Sequence, residues 1–234
     1  MSNNLIIAID GPAGSGKSTT AKLLAQKLGF LYIDTGAMYR AITFLALRHS
    51  IIGNSDKIIK LAEKCEIQVG FVNGETKIIV NGEDLTGKIR SLEVNKNVSN
   101  VSKIEGLRKI LIKKQREMGK KGVGVVMEGR DITTVVFPDA DVKIYLTAFI
   151  DERAKRRAKE FLDTGTAISI NEIKKNLEQR DIIDSSRETS PLKKADDALE
   201  VDTSNVTIDE QVNIILNEVK KAADEKGIKL NINN

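Results

Sequence analysis

The sequence predicts an α/β fold: a five-stranded parallel sheet with helices on both faces, an inserted small β-meander and helix, and a mobile stretch late in the chain. Three observations predict it. Short apolar runs alternate with segments of helical periodicity, the pattern of βαβ units whose sheet is covered on both faces. The first of these runs opens into a glycine-rich loop and then a helix. Between the early and late units the apolar period changes from 3.6 to 2, beside Asn-Gly dipeptides that mark hairpins.

Leu5 to Ile9 is a run of apolar, largely β-branched residues, too short for a helix, and so a buried strand. The loop Gly11-Pro12-Ala13-Gly14-Ser15-Gly16-Lys17-Ser18 meets G-x-x-x-x-G-K-[ST] at every fixed position. Ala21, Leu24, Ala25 and Leu28 then recur with helical spacing. In that context the glycines let backbone amides turn inward as an anion nest, and the helix adds its positive end. Lys17 is placed to reach β- and γ-phosphates, and the Ser18 hydroxyl to hold Mg²⁺.

Gly29 stops this helix. Phe30 to Asp34 is the second strand, Thr35-Gly36 a turn, and Ala37 to His49 a helix with Met38, Ile42, Leu45 and Ala46 on one face. Arg40 falls in its first turn, a poor place for a cation unless an anion lies nearby; the plainer alternative is a surface arginine. Asn54 to Cys65 is a helix capped by Asn54 or Ser55. Ile67 to Val72 and Thr76 to Val80 alternate as strands, joined by Asn73-Gly74 and ended by Asn81-Gly82. The insertion runs to about Ser102 and carries a weaker helix at Ser91 to Asn100.

Ile104 to Met118 is a helix striped by Leu107, Ile110 and Leu111, with Arg108 beside the stripe and Lys113, Lys114 and Arg116 on a solvated face. Val123 to Met127 is the third core strand. It ends in Glu128-Gly129-Arg130-Asp131, charged residues where open α/β sheets bind ligands. Pro138 to Asp141 is a turn and Val142 to Thr147 the fourth strand. From Asp151 a helix puts Arg153, Arg156 and Arg157 on one face and breaks at Thr164-Gly165-Thr166. Ser169 to Ser185 carries Arg180, Asp181 and Asp184, with Arg187 beyond; carboxylate partners for the arginines are not evident at every position. Asp197 to Val201 is the fifth strand and Ile208 to Ala222 the closing helix; the tail from Gly227 is expected to fray.

The net charge of +4 suits a small anionic substrate without demanding nucleic acid. Aromatic residues are 4% of the chain, too few for the stacking platforms of a single-strand binder. Cys65 is the single cysteine, which excludes an intramolecular disulfide and reads as a small buried hydrophobe. No apolar run approaches the roughly 20 residues of a membrane span. With no signal segment ahead of the first strand, a cytoplasmic location is expected. His49 ends a helix, where a cation suits the dipole, and is given no catalytic role.

The chain resembles the bacterial cytidylate kinase family of P-loop nucleoside monophosphate kinases over essentially its whole length. The resemblance rests on IDGPAGSGKST at Ile9 to Thr19, DTGAMYRA at Asp34 to Ala41, the insertion, and GRD at Gly129 to Asp131. It extends to VVFPDADVKIYL at Val135 to Leu146 and RD-x-x-D-x-x-R from Arg180 to Arg187. It implies γ-phosphoryl transfer from ATP, with Mg²⁺, to CMP or dCMP, by a monomer that engages neither nucleic acid nor membrane. It implies that Gly11, Pro12, Ala13, Gly14, Ser15, Gly16, Lys17, Ser18 and Thr19 hold ATP, and that Ser18 meets the metal. Arg40 and Arg130, with Thr35 nearby, would hold the acceptor phosphate; Ser99, Arg108 and Asp131 would face cytosine; Arg180 and Asp184 would meet the ribose. Arg153, Arg157 and Arg187 would close as a lid and, with Lys17 and Arg130, form the catalytic set. On this resemblance the core is 1–58 and 103–226, the NMP-binding insertion 59–102, the lid 152–188 within the core, and the flexible tail 227–234. Two residues depart from the family pattern: Glu128 where many relatives have aspartate, and Thr133 where glycine is usual.

A carboxylate beside an arginine complements cytosine, which offers an N4 amino donor next to an N3 acceptor. The alternative is that Asp131 pairs with Arg130 or caps the short helix after it. Three rival functions stand beside this one. A regulatory GTPase needs N-K-x-D, and the nearest string, Asn95-Lys96-Asn97-Val98, lacks the carboxylate. A nucleic-acid-binding ATPase would use the lysine-rich helices, against the charge and aromatic content. A kinase for UMP or another small acceptor is the nearest alternative.

Overall fold

The computed structural model describes residues 5–72, 75–120, 122–163, 165 and 167–233. Its core begins with β1 (Ile6–Asp10), α1 (Lys17–Leu28), β2 (Leu31–Asp34) and α2 (Thr35–Arg48). The next elements are α3 (Ser55–Lys64), β3 (Ile67–Val72), β4 (Glu75–Val80), β5 (Glu83–Asp84) and α4 (Leu92–Val101). Then come α5 (Glu105–Gly119), β6 (Val125–Gly129), one π-helical turn (Ile132–Val136) and β7 (Val142–Thr147). The chain closes with α6 (Ile150–Asp163), α7 (Ile170–Ser185), β8 (Leu199–Asp202) and α8 (Ile208–Glu225). No described helix is long and apolar enough to cross a membrane.

The five-stranded sheet runs β2-β6-β1-β7-β8 and all its pairings are parallel. β1 lies in the middle, with both edges paired, and apolar residues of other elements cover both its faces, which is why its sequence is apolar without alternation. Ile7 and Ile9 pack with α1 and α8 through Leu24, Val212 and Ile215, while Ala8 faces Ile33, Met127 and Ile132 on the opposite side. A third apolar cluster joins α2, α3 and α5 to the antiparallel sheet β3-β4-β5 through Ile42, Ile58, Ile78 and Leu111, and buries Cys65. A small fourth cluster holds α6 to α7 and reaches the glycine loop at Ala13.

Several local expectations change. No turn separates β2 from α2: Asp34 caps the helix, its carboxylate accepting from the Ala37 amide at 3.0 Å, so the helix begins at Thr35. Arg40 therefore sits in the second turn. The third core strand begins at Val125 and the fifth two residues later than expected, at Leu199. Arg116 is not simply solvated; its guanidinium donates to Val136 O at 3.0 Å and Val135 O at 2.6 Å, fastening α5 to the π turn. After Gly227, where fraying was expected, Asn233 N donates to Lys27 O at 2.7 Å and its side-chain amide to Gln26 O at 2.9 Å. The Asn73-Gly74 turn, Thr164 and Thr166 lie outside the described residues.

Candidate active site

Strand register sets the site. Asp10 lies opposite Gly129, and Asp34 opposite Glu128, so β1, β2 and β6 end level with one another. Strand order diverges on either side of β1, and the loops leaving its neighbours part there, as at the ligand crevice of open α/β sheets. A cavity of about 960 Å³ opens at this edge. Among the residues singled out from sequence, Ala13, Gly14, Gly16, Lys17, Ser18 and Thr19 line one end. Thr35, Arg40, Ser99, Arg108, Arg130 and Asp131 line the other, and Arg157, Arg180, Asp184 and Arg187 face in from the side. Gly11, Pro12, Ser15 and Arg153 are not on its wall.

The loop has the shape its glycines allow. Gly11 has φ 149°, and a Cβ there would stand 2.0 Å from Leu146 O. Gly16 is left-handed at φ 89° and caps α1. Lys17 Nζ donates to Pro12 O at 2.7 Å and to Ser15 Oγ at 3.4 Å. Burial pushes this ammonium down to about 7, helped by the Arg130 charge and opposed by Glu128, Asp10 and Asp184. Glu128 is pushed up, first by burial and then by Asp34, against the charge of Lys17 and hydrogen bonds from Ser18 and Tyr32. The Tyr32 hydroxyl donates to Glu128 Oε1 at 2.5 Å, so a core tyrosine fixes the longer carboxylate. Thr35 Oγ1 donates to Glu128 O at 2.7 Å, tying the start of α2 to β6.

At the far end Arg108 is 1% exposed and Asp131 4%. Arg108 Nη2 donates to Asp131 Oδ2 at 2.5 Å, and Nη1 to Ser102 O at 3.2 Å. Asp131 thus pairs with Arg108 rather than with Arg130, and its side chain makes no cap to the π turn. That anchoring falls to Asp10, fully buried, which accepts from Ile132 N (2.9 Å), Thr133 N (2.7 Å) and Thr133 Oγ1 (2.7 Å). Burial raises Asp10 to about 6 in spite of these donors. Thr133 therefore adds a donor that glycine lacks.

Arg130 Nε donates to Asp184 Oδ2 at 2.9 Å. Burial raises the Asp184 carboxyl, but Arg130, Arg187 and Arg180 more than offset it, and the net shift is downward. Arg180 Nε and Arg187 Nε and Nη2 are buried with no protein acceptor among the described residues. Guanidinium groups left so, around a cavity, fit an anionic or hydroxyl-rich ligand.

The helix arginines are paired after all. Arg153 binds Asp181 at 2.6 Å, Ala13 O at 3.2 Å and Ala148 O at 3.1 Å, behind the loop rather than in the cavity. Arg157 pairs with Glu160, and Arg187 approaches Asp184 at 3.6 Å. Arg156, not singled out as a site residue, lines the cavity beside Thr207 and Gln211 and donates to Thr203 O at 2.5 Å. Its shared face with Arg157 was the available signal. For Asp10 the signal was a carboxylate ending an apolar strand. Nothing in the sequence marked Asn95, which receives Arg40 at 2.6 Å and Arg157 at 3.2 Å.

The site holds hard oxygen donors for a metal carried in by a nucleotide, the Ser18 hydroxyl and the Glu128 carboxylate. No cluster of three His, Cys, Asp or Glu side chains that could hold a metal occurs among the described residues.

Comparison with known proteins identifies the family. A solved structure of an uncharacterized protein from Eubacterium ventriosum shares the fold, with a TM-score of 0.53 at 12% identity, covering 93% of this chain and 99% of that one. Cytidylate kinase of Desulforamulus reducens is 49% identical over 222 residues, 94% of this chain and 99% of that protein. Cytidylate kinase of Bacillus licheniformis is 48% identical over 227 residues, 96% of this chain and 100% of that protein. The family model for cytidylate kinase matches residues 7–221, and the chain belongs to the cytidylate kinase family.

Proposed function

We propose that this protein transfers the γ-phosphoryl of ATP to CMP, and to dCMP, releasing ADP and CDP or dCDP. The observation that carries the proposal is one cavity joining the glycine loop at one end to the buried Arg108–Asp131 pair at the other, walled by arginines between. Phosphoryl transfer needs positioning and charge stabilisation more than covalent chemistry from the protein, and the wall supplies both.

In this reading the loop amides and Lys17 hold the donor phosphates, and Ser18 would hold Mg²⁺, with Glu128 facing its water shell. The ion, when bound, neutralises charge on the β- and γ-oxygens. Thr35, Arg40 and Arg130 receive the acceptor phosphate. Ser99, Arg108 and Asp131 read the base; Arg180 and Asp184 meet the ribose. Arg157 and Arg187 gather the charge of the moving phosphoryl, and Arg153 acts from behind by holding Ala13 of the loop. Arg156, beside Thr207 and Gln211, flanks the donor nucleotide. The working form is a cytoplasmic monomer that uses neither nucleic acid nor membrane. The core comprises 1–58 and 103–226, the acceptor-binding insertion 59–102, and a lid 152–188.

A coupled ADP-release assay across nucleoside monophosphates tests the reading. CMP and dCMP should exceed UMP in kcat/KM by at least ten- to a hundredfold, because uracil O4 would face an acceptor oxygen of the buried Asp131 carboxylate and leave it without a donor, at a cost of about 1–3 kcal/mol. A preference for UMP or AMP, or ATP turnover that ignores every monophosphate, would sink it.

A further inference from the structure

We propose that Asn95 is a positioning residue that joins Arg40 of α2 to Arg157 of α6, and that its neutrality keeps the acceptor end of the cavity positive. The proposal rests on the phosphoryl-transfer reading above.

Asn95 is half-buried on α4, outside the cavity wall. Its Oδ1 accepts from Arg40 Nη1 at 2.6 Å and from Arg157 Nη2 at 3.2 Å. Its Nδ2 donates to Arg90 O at 2.9 Å. That last bond settles which way the amide faces, since the reversed amide would set donor against donor on both arginines. One oxygen thus gathers cations from two elements, while its own helix is tied to the segment before it.

The arrangement works against repulsion. Burial first, and then the charges of Arg180, Arg90 and Arg157, together depress the Arg40 guanidinium to about 9 against the opposing charge of Asp34. A carbonyl oxygen has two lone pairs and can serve both guanidiniums without adding charge. A carboxylate in its place would bond the same donors more strongly and cancel part of the field that an acceptor phosphate needs. Arg157 reaches Asn95 with one nitrogen while the other pairs with Glu160, and its guanidinium lies 4.7 Å from the Phe161 ring centre. Asn95 therefore sets the tip of a side chain whose base α6 already controls.

The test uses full-length Asn95→Ala, Asn95→Asp, Arg157→Ala and the Asn95→Ala/Arg157→Ala double variant. Asn95→Ala should raise KM for CMP about fivefold, the scale of one modest hydrogen bond, with KM for ATP within about twofold of wild type. Asn95→Asp should raise KM for CMP on the order of tenfold or more, through the added charge. On the Arg157→Ala background Asn95→Ala should add less than it does alone. Asn95→Asp binding CMP as well as wild type, or equal effects on both substrates, would overturn the proposal. Ligand-free hydrogen exchange supplies an arm independent of CMP: Asn95→Ala should speed exchange across α6, and unchanged exchange overturns the joint whatever the acceptor is. A wild-type protein inert toward CMP whose α6 loosens in Asn95→Ala would reject the substrate and keep the joint.

Discussion

Lys17 gives the proposed donor site a pH signature. Its ammonium, pushed down to about 7 by burial and by Arg130, is largely neutral at about pH 8 before nucleotide arrives. A triphosphate raises it again, so ATP binding between about pH 7 and the ordinary lysine value of 10.5 should take up a proton. Calorimetry at about pH 8 in two buffers of different ionisation enthalpy should give different heats; below about pH 6 the difference should vanish. Lys17→Ala should abolish the uptake and lower kcat by about 10²–10³, the loss of one preorganised contact with the transferring group. At the other end, Asp131→Ala should narrow the preference for CMP over UMP. It also strips buried Arg108 of its carboxylate, which costs about 3–5 kcal/mol of stability, so Asp131→Asn should be run beside it. Equal losses on both nucleotides in both variants would remove Asp131 from base reading. Residues of this kind were legible because a motif fixes their spacing, as with Gly11 to Ser18. Asn95 was not, because its partners Arg40 and Arg157 lie 55 and 62 residues away in sequence, and the strand-end position of Asp10 gave no sign of partners more than 100 residues on.

The α6–α7 hairpin has a small apolar core and is tied to its surroundings mainly by polar bonds. Ala154, Ile173 and Leu177 are its only fully buried apolar residues in the cluster that joins it to Ala13. Leu162, Ile170 and Ile182 are more than half exposed. So small a core suits a unit that opens locally at low cost. Hydrogen exchange over residues 151–190 should slow when a bisubstrate analogue binds, and equal protection in both states would count against a lid. Element positions followed the sequence wherever period and punctuation agreed, as for β1, α1 and the β3–β4 pair. They slipped where a side chain decided: the Asp34 cap began α2 two residues early, and the π turn after Asp131 has no periodic signature, because Asp10 and Arg116 hold it from outside.

Across the whole molecule the insertion is coupled to the core by more than its apolar cluster. Tyr32 meets Phe71 of β3 edge-on at 5.3 Å, and Lys22 of α1 sits over both rings at 5.9 and 5.7 Å. Tyr32 in turn holds Glu128, so the meander, the helix after the glycine loop and the acidic end of β6 share one contact. The five-strand core was predictable as a class; this coupling was not, since it depends on which face the meander presents. The glycine loop also leans on the far end of the chain. Thr20 Oγ1 donates to Gln211 Oε1 at 2.9 Å, Thr203 Oγ1 to Ser15 O at 3.0 Å, and α8 closes over α1. A ribosome that has released only the first two hundred residues has therefore made the loop but not its prop. Nascent chains arrested before Ile208 should not retain ATP, whereas chains arrested with α8 clear of the exit tunnel should.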